Sequence, residues 1–406
     1  MRKRHVFYLL FVLTALGFSA ILIRKYFSNG EENNSLPVIK ITLSRNTSLL
    51  SRDTWSENCN IRFYDEDGWS VYHSTFNELK GRGHSTSDKP KKPYNIKLEN
   101  SHKLFGMPSH ERWVLLAGFF DHSLIRNALG AEIARQTSLA STTPQGRFVQ
   151  LDINDENQGV YYLCERTLDM ADEENVLLEF DTYSINEDEY VFQTKQNSLP
   201  VSVRTPKKLT IPMFEAIQEL VNRADSCPSR YVDFDTFADY LLVEELCQNG
   251  ELNGPRSCFM QLLPDGRFTA GPVWDFDLAF ITVGIDEGND LRPLRKANLP
   301  GVRLLTGDSL YNTRALWYSQ LLQDSAFVKH VKRRWSVLKP RFEGLTTFID
   351  SVDNRIRPMA ILDQKQWNRL EPARFDTCTS YSSAVSTLKL TYKNRIIQLD
   401  SLLRKL

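Results

Sequence analysis

The hydrophobic pattern of the chain changes its period near residue 210, and this change limits the choice of folds more than any other feature. Before it, apolar and polar residues alternate, as in KKPYNIKLE at residues 91–99, a pattern typical of strands. After it, apolar residues recur at helical spacing, as in IPMFEAIQELVNRA at residues 211–224. A chain in which strands precede helices is expected to form an α+β fold.

Individual elements follow from the same patterns. Three more segments of the first half are predicted to be strands: residues 37–43, 60–64 and 189–195. The segments RFVQLDIN and GVYYLCERT flank the turn DENQ and predict a hairpin, whereas the acidic residues 171–187 are expected to be rich in loops. Asp121 is placed to cap a helix that follows it directly.

The N-terminus differs from the rest of the chain. Residues 6–23 carry no charge and, as a helix, would just cross a hydrocarbon core of about 30 Å. The basic residues Arg2, Lys3 and Arg4 favour a cytoplasmic N-terminus, which sends the body of the protein across the membrane. We therefore expect an uncut signal anchor and an extracytoplasmic protein, in the periplasm or at the cell surface. Secretion after signal cleavage is the alternative.

The charge balance argues against one class of partner. The chain of 406 residues has 50 basic and 50 acidic residues, so its formal net charge is zero. Because no basic excess is available to neutralise phosphates, we expect no nucleic-acid partner. The cysteines are scattered, without a CxxC or a Cys/His cluster, so a structural zinc site is not expected either.

The stretch GPVWDFDLAF, residues 271–280, sets Asp275 and Asp277 into an otherwise apolar run. Charges are costly in such a run unless something offsets them. In an extended segment the two carboxylates would point to the same side, roughly 6–7 Å apart, and oxygen ligands of this kind suit Mg²⁺. The alternative is structural: one acid caps a turn and the other pairs with an arginine.

The order of elements around this pair indicates a type of chemistry. A helix ends at NGELNGP, and a hairpin follows before the aspartates, which is the order of the catalytic and metal loops of protein kinases. Upstream, GRGHSTSDKPKKPYNIK supplies a glycine-bearing loop and a strand with a lysine, which are parts that hold nucleotide phosphates. A basic surface hairpin is the alternative for this stretch.

Four blocks, in the order in which they occur, resemble the spore coat protein CotH kinase family: GRGHSTSDKPKKPYNIKLE, ERWVLLAGFFDHSLIRNALGAEIAR, GVYYLCERT and AGPVWDFDLAF. The resemblance covers roughly residues 37–340. It implies a two-lobed atypical protein-kinase-like fold, with a sheet-rich N-lobe and a helical C-lobe. The apolar residues 6–23 would precede this fold as a single N-terminal transmembrane helix. The resemblance also implies transfer of phosphate from ATP, with Mg²⁺ or Mn²⁺, to serine or threonine of an extracytoplasmic protein in the bacterial cell envelope.

The sequence pattern and the resemblance together divide the chain into five parts. They are a signal anchor (1–25), a linker (26–36), a sheet-rich N-lobe (37–205), a helical C-lobe with the catalytic and metal loops (206–340) and a helical C-terminal extension (341–406). A chain of this length is expected to contain more than one structural unit.

Residues that would hold the donor are assigned by the same resemblance. Asp275 matches the metal-binding aspartate of the family, and Asp277 is the adjacent acid. Lys97 or Lys92 would contact phosphate, and we prefer Lys97 because it lies in the strand proper. Glu165, which closes the GVYYLCE strand, would pair with that lysine.

Arg82, in the GRG loop, would contact phosphate or lock the loop. Enzymatic members have a catalytic aspartate upstream of the metal aspartate, followed by an asparagine that holds metal. Here Glu251 and Asn253 occupy that region, so either Glu251 replaces the aspartate as a longer base or phosphoryl transfer has been lost. For Arg126 and Asn127 a catalytic role and a structural role are equally supported.

Two function classes therefore remain open. The first is a kinase-like enzyme, which the intact W-D-F-D block favours. The second is a noncatalytic kinase-like surface protein that binds a protein or a glycan, which the scarcity of ATP outside the cytoplasm favours. A fold alone does not decide between them.

Overall fold

The computed structural model describes residues 35–43, 50–83, 85–183, 189–249, 251–280, 310, 312, 315–368 and 378–406. The signal anchor predicted at residues 1–25, with nearly all of the linker, lies outside the described residues. Among the helices in the described part of the chain, none combines the length and the apolar character needed to cross a membrane.

Seven strands of the first half close into a barrel. Their bounds are β1 (Val38–Thr42), β2 (Ser56–Tyr64), β3 (Ser70–Gly81), β4 (Tyr94–Lys103), β5 (Ser109–Leu116), β6 (Gly146–Ile153) and β7 (Glu156–Cys164). The strands pair in the order β1-β2-β3-β4-β5-β7-β6, and β1 completes the barrel by pairing in parallel with β6. The barrel confirms the strands predicted at residues 37–43, 60–64 and 91–99, as well as the predicted hairpin, which is β6–β7.

Alternation along the strands separates the inside of the barrel from its outer face. Fully buried side chains of the interior include Ile39, Ile61, Leu79, Ile96, Trp113 and Leu151. Their neighbours Lys80, Asn95 and Arg112 on β3, β4 and β5 therefore point away from the barrel interior. This outer face forms one wall of a cavity that Lys80, Asn95 and Arg112 line.

A second sheet combines strands from both halves of the chain. Its strands are β8 (Val176–Phe180), β9 (Val191–Gln193), β10 (Pro200–Thr205), β11 (Cys258–Leu262) and β12 (Phe268–Ala270), in the order β12-β11-β8-β10-β9. The central strand, β8, falls within the segment expected to be rich in loops, so that prediction is wrong for residues 176–180. The cause is burial: Leu177, Leu178 and Phe180 are fully buried, so β8 lacks the alternation that identifies a half-exposed strand.

Seven described helices complete the fold. They are α1 (Arg126–Arg135), α2 (Ile211–Ser226), α3 (Phe234–Cys247), α4 (Tyr318–Leu321), α5 (Ser325–Gly344), α6 (Thr346–Gln366) and α7 (Tyr381–Lys405). The helix predicted after Asp121 is confirmed as α1, but it begins only at Arg126, and its N-cap position is Ile125, which provides no side-chain cap. Asp121 Oδ2 does accept a hydrogen bond of 2.8 Å from the backbone N–H of Arg126. Asp233 caps α3 in the usual way, through the backbone N–H of Thr236.

The two-lobed kinase-like fold expected from the resemblance is wrong for this chain. Strands of the first half do not form one sheet in a lobe of their own: seven close into the barrel, and β8, β9 and β10 join β11 and β12. Backbone pairing is the physical reason, because β8 pairs with β11 along its whole length, from Val176 opposite Leu262 to Phe180 opposite Cys258. The domain boundaries at residues 205 and 340 remain predictions.

Two buried ion pairs tie the C-terminal helices to the rest of the molecule. Lys91, which precedes β4, lies 2.6 Å from Asp363 of α6, and both side chains are fully buried. Asp363 also accepts a hydrogen bond of 2.9 Å from the backbone N–H of Val160 in β7. Arg395 of α7 pairs with Glu245 of α3 at 2.9 Å. Removing one partner of such a pair would leave an uncompensated buried charge, which is strongly destabilising.

Candidate active site

Asp275 and Asp277 lie in the loop that follows β12, and not in a strand. Strand β12 ends at Ala270, and Asp275 has a φ of 62°, in the left-handed region that residues other than glycine seldom adopt. The predicted position just behind the hairpin is confirmed, whereas the extended geometry assumed for the pair is wrong. A left-handed aspartate in a half-buried loop is the kind of backbone feature that clusters at functional sites.

The N-terminus of α1 fixes this loop through hydrogen bonds. Asn127 Oδ1 accepts a hydrogen bond of 2.9 Å from the Phe276 backbone N–H, and Asn127 Nδ2 donates to Asp277 Oδ1. Arg126 Nη1 donates to the Asp277 carbonyl at 3.2 Å. These contacts favour the structural interpretation of Arg126 and Asn127, because both side chains hold the loop that carries the aspartates.

Phe276 is seated against a glycine of the same helix. The Phe276 side chain is buried, and a Cβ placed on Gly130 would overlap its ring. The closest approach of α1 to the aspartate loop therefore depends on the missing side chain at position 130.

Gly130→Ala is expected to push the Phe276 ring out of place, to destabilise the protein by about 1–3 kcal/mol and to lower turnover roughly tenfold, since both aspartates flank that ring. Urea denaturation and a turnover assay measure the two effects. Gly344→Ala is the matched control, because a Cβ at Gly344 would meet nothing within 4 Å. Combining Gly130→Ala with Phe276→Leu should restore part of the loss; no restoration would contradict the packing argument.

Two further carboxylates join the pair because β8 and β11 are neighbours. Phe180 at the end of β8 lies opposite Cys258 at the start of β11, so Asp181 comes close to the loop that carries Glu251. Asp181 Oδ2 accepts a hydrogen bond of 3.0 Å from the Ser257 backbone N–H. Glu251 opens a single 3₁₀ turn, and its carbonyl accepts a hydrogen bond of 3.1 Å from the Arg256 backbone N–H. Strand pairing thus places Asp181 and Glu251 on the side of Asp275.

Burial and mutual repulsion shift the pKa values of these carboxyls upward. Burial, followed by the charge of Asp275, raises the pKa of Glu251 to about 8, against the opposing effect of Arg256. Burial and Asp275 likewise raise the pKa of Asp277 to about 7, and burial raises the pKa of Asp275 although Arg82 opposes it. Carboxyl groups whose pKa lies near neutral pH can exchange a proton or bind a cation under physiological conditions.

These shifts predict how stability depends on pH. Since the folded state binds these protons more tightly than the unfolded state, the stabilisation is complete below about pH 4 and is lost as pH rises towards about 8. Without divalent metal, the melting temperature of the protein should therefore fall between about pH 5 and about pH 8. The fall should be smaller in Glu251→Gln but unchanged in Glu57→Gln, an exposed control on β2. An equal fall in both variants would contradict the prediction.

The carboxylates fit a metal ion that is shared with a phosphorylated ligand. In the part of the chain that the structure describes, no three Asp, Glu, His or Cys side chains form a group that could hold a metal ion. Mg²⁺, however, is usually bound by one or two carboxylates together with water and substrate phosphates. Asp275 and Asp277 supply hard oxygen donors of this kind, which is the chemistry expected from the resemblance.

A cavity of about 720 Å³ opens beside the carboxylates, between the outer face of the barrel and the second sheet. Its lining includes Trp274 and Asp181 and contains more cations than anions. The basic residues of the lining are Arg52, Lys80, Arg82, Arg112, Arg166 and Arg204, and the acidic ones are Asp53, Glu179 and Asp181. A pocket of this size and charge suits a polyanionic small molecule.

Three of these cations have no carboxylate ion-pair partner among the described residues: Lys80, Arg82 and Arg112. The Arg82 guanidinium lies over the Trp274 ring at 5.3 Å, and the Lys80 ammonium lies over Trp55 at 4.9 Å. Burial lowers the pKa of Arg82, while the charges of Cys164, Asp275 and Asp277 act to raise it. Arg82 is thus a cation close to the carboxylates that remains available to bind an anion.

Lys97 and Glu165, predicted to pair with each other, each have another partner. Lys97 pairs with Glu78 at 2.5 Å on the outer face of the barrel and is not part of the cavity lining. Glu165 Oε2 accepts a hydrogen bond of 2.7 Å from the Gln145 backbone N–H, and Glu165 Oε1 lies 2.7 Å from His110 Nε2. The expected Lys97–Glu165 pair is therefore not the one formed. Their catalytic and phosphate-binding roles remain predictions.

Lys92 lies in a smaller recess of about 210 Å³ that adjoins the cavity through Arg82. Its ammonium group donates a hydrogen bond of 3.0 Å to the Ser87 carbonyl. The side chain of Asn253 lies outside the described residues. For both residues the roles assigned from the resemblance remain predictions.

Several residues of the site were not identified from the sequence. They are Asp181, Lys80, Arg112, Arg166 and Arg204. For Asp181 a signal existed, because it directly follows the apolar run VLLEF. The four cations lie on four different segments of the chain, and no local pattern connects them.

The chain matches one family model. The model is described as CotH kinase protein, and the match covers residues 79–397. It extends from the end of β3 into α7 and so includes all four carboxylates and the cavity lining apart from Arg52, Asp53 and Trp55. No curated protein matches the chain.

Proposed function

Because this chain belongs to the CotH kinase protein family, we propose that it transfers the terminal phosphate of ATP, with a divalent metal, to a serine or threonine of an extracytoplasmic protein. The family as a whole implies ATP use and a divalent metal. The acceptor and the location are proposals that rest on the sequence, in particular on the apolar residues 6–23.

One observation carries the proposal: the basic cavity and the acidic loop meet at Arg82. The charges of Asp275 and Asp277 act to raise the pKa of Arg82, so the three side chains interact electrostatically. Arg82 also lines the cavity. Phosphoryl transfer depends mainly on positioning and on compensating negative charge. A site that combines an available guanidinium with two carboxylates for Mg²⁺ or Mn²⁺ supplies both requirements.

The roles of the individual residues follow from this arrangement. Asp275 and Asp277 would hold the metal ion, which neutralises charge on the phosphates when it is bound. Arg82 binds phosphate oxygens, with its guanidinium plane held by Trp274. Asn127 keeps Asp277 in place, as its hydrogen bonds to the loop indicate.

Glu251 acts as the base in this proposal. The acceptor hydroxyl oxygen forms a bond to the terminal phosphorus, the bond from that phosphorus to the bridging oxygen breaks, and ADP leaves. The hydroxyl proton passes to the Glu251 carboxylate. A base works best when its pKa lies near the working pH, and the pKa of Glu251, raised to about 8, meets that condition.

Isothermal titration of the full chain with ATP, in the presence of MgCl₂ or MnCl₂, tests the proposal directly. We expect binding that requires the metal and that is lost in Arg82→Gln. Arg62→Gln is the matched control, because Arg62 is an exposed arginine of the same barrel outside the cavity. Metal-independent binding, or equal binding by both variants, would refute the site.

A further inference from the structure

The described chain begins at one end of the barrel, beside the turn between β2 and β3. Ser35 Oγ donates a hydrogen bond of 2.6 Å to the Glu66 carbonyl in this turn. Eleven residues, 24–34, separate Ser35 from the apolar residues 6–23, so at most roughly 40 Å of extended chain can lie between them. The predicted signal anchor would therefore hold the β2–β3 turn close to the membrane surface.

Trp69 lies at the end of the same turn. Its side chain is 62% exposed, whereas the other tryptophans of the chain, all in described segments, are buried or half-buried. The turn is ordered by Asp65, whose Oδ1 accepts a hydrogen bond of 2.8 Å from the Trp69 backbone N–H. A tryptophan side chain has an apolar body and a polar N–H, and for this reason tryptophan is enriched where a membrane meets water. Trp69 is thus placed as a membrane-interface residue would be.

A row of basic side chains crosses the outer face of the barrel on the three strands next to this turn. Lys40 of β1 lies opposite Arg62 of β2, and Arg62 lies opposite His73 of β3. All three side chains are exposed, and we call them the basic row. Neighbouring strands are about 4.8 Å apart, and like charges directly opposite each other are destabilising unless something offsets them.

Nearby acidic side chains do not neutralise the basic row. Among the described residues, no carboxylate lies within ion-pair distance of Lys40 or Arg62. Asp152 of β6 is the other cross-strand neighbour of Lys40, but its Oδ1 accepts hydrogen bonds of 2.9 Å and 3.3 Å from two amide side chains. In the turn, Glu66 pairs with an arginine of α6, which leaves Asp67 as its exposed acid. An anionic surface would therefore offset the charge of the row.

We propose that the outer face of β1, β2 and β3 docks on anionic phospholipid headgroups of the membrane that residues 6–23 cross. The basic row contacts headgroup phosphates, and Trp69, roughly 13 Å from His73 along β3, enters the interface between headgroups and acyl chains. Lys80, in the cavity lining, lies at the other end of β3, so docking keeps the cavity roughly 35 Å from Trp69. The inference rests on the signal anchor of the proposed function and adds the surface that orients the protein.

The full chain, reconstituted in phosphatidylcholine vesicles with or without phosphatidylglycerol, tests the proposal through the fluorescence of Trp69. The emission of Trp69 is the difference between a protein and the same protein carrying Trp69→Phe, and acyl chains brominated near the headgroup quench an indole that enters the interface. We expect bromination to lower this emission at least about twofold in vesicles with phosphatidylglycerol, and much less without it or at high salt. In Lys40→Gln/Arg62→Gln most of the quenching should be lost.

Lys208→Gln/Lys329→Gln is the matched control, because it removes the same charge from exposed positions outside the barrel. Its Trp69 should be quenched as in the wild type. Equal quenching with and without phosphatidylglycerol, or in both double variants, would overturn the proposal. A chain that an alkaline wash removes from the vesicles would overturn the anchor and the docking together. An inserted chain with unquenched Trp69 would overturn the docking alone, and the ATP titration is independent of both results.

Discussion

Replacing Asp275 by asparagine is expected to abolish metal-dependent nucleotide binding and to lower turnover by roughly a thousandfold. Asparagine keeps the shape of the side chain and tolerates the left-handed backbone found at this position, so the change removes only the charge. Stability should not fall, because the pKa values of Glu251 and Asp277 show that the Asp275 charge repels both carboxyls. Titration with ATP and MgCl₂, phosphorylation of a short serine-containing peptide and thermal melting measure the three effects.

Asp155→Asn is the matched control for this substitution. Asp155 is also left-handed, with a φ of 63°, but it is exposed in the turn between β6 and β7. It should leave nucleotide binding and turnover unchanged. If Asp275→Asn bound ATP with the affinity of the wild type, the assignment of this aspartate to the metal ion would be refuted.

Glu251→Gln is expected to lower turnover by about a hundredfold while nucleotide affinity changes less than about twofold. Glutamine preserves the shape of the side chain and cannot accept the hydroxyl proton. The pH profile gives a second readout: the wild-type rate should rise as pH increases towards about 8, and this rise should be absent in the variant. Single-turnover phosphorylation of the same peptide, followed across pH, measures both.

Glu251→Asp separates charge from position. It keeps the carboxylate but shortens the side chain by one methylene, and a displacement of about 1 Å can cost on the order of a hundredfold in rate. Activity that remains sensitive to pH, although slower than in the wild type, would agree with a base at this position. Robust turnover that Glu251→Gln leaves untouched would place the base elsewhere in the molecule.

Most acidic residues of the site could be predicted from the sequence, because they lie in short motifs. Asp275 and Asp277 stand out as charges in an apolar run, and Glu251 stands in the polar loop behind a helix. The backbone geometry of Asp275 and Asp277 could not be predicted, because the apolar run at residues 271–280 has the pattern of a strand. The left-handed turn at Asp275 is held by two tertiary hydrogen bonds: Asn127 Oδ1 accepts one from the Phe276 backbone N–H, and Asn249 Nδ2 donates one to the Asp275 carbonyl.

The basic residues of the site were mostly missed, for a different physical reason. Alternation shows that Lys97 points out of the barrel, but it does not show which face meets the second sheet. The register of β3, β4 and β5 places Lys80 and Arg112 in the cavity and leaves Lys97 outside it, paired with Glu78. Likewise, only the pairing of β8 with β10 and β11 brings Arg204 and Asp181 to the same cavity.

The ion pair between Lys91 and Asp363 bears on the order in which the molecule can be made. During synthesis the barrel strands leave the ribosome long before α6. Lys91 therefore emerges well before Asp363 of α6 has been made. Because burying an unpaired ammonium group is costly, we expect the wall of the barrel at β7 to close only when Asp363 is present to pair with Lys91. We therefore expect this part of the barrel, and with it the cavity that the barrel lines, to reach its final structure only after α6 has been synthesised.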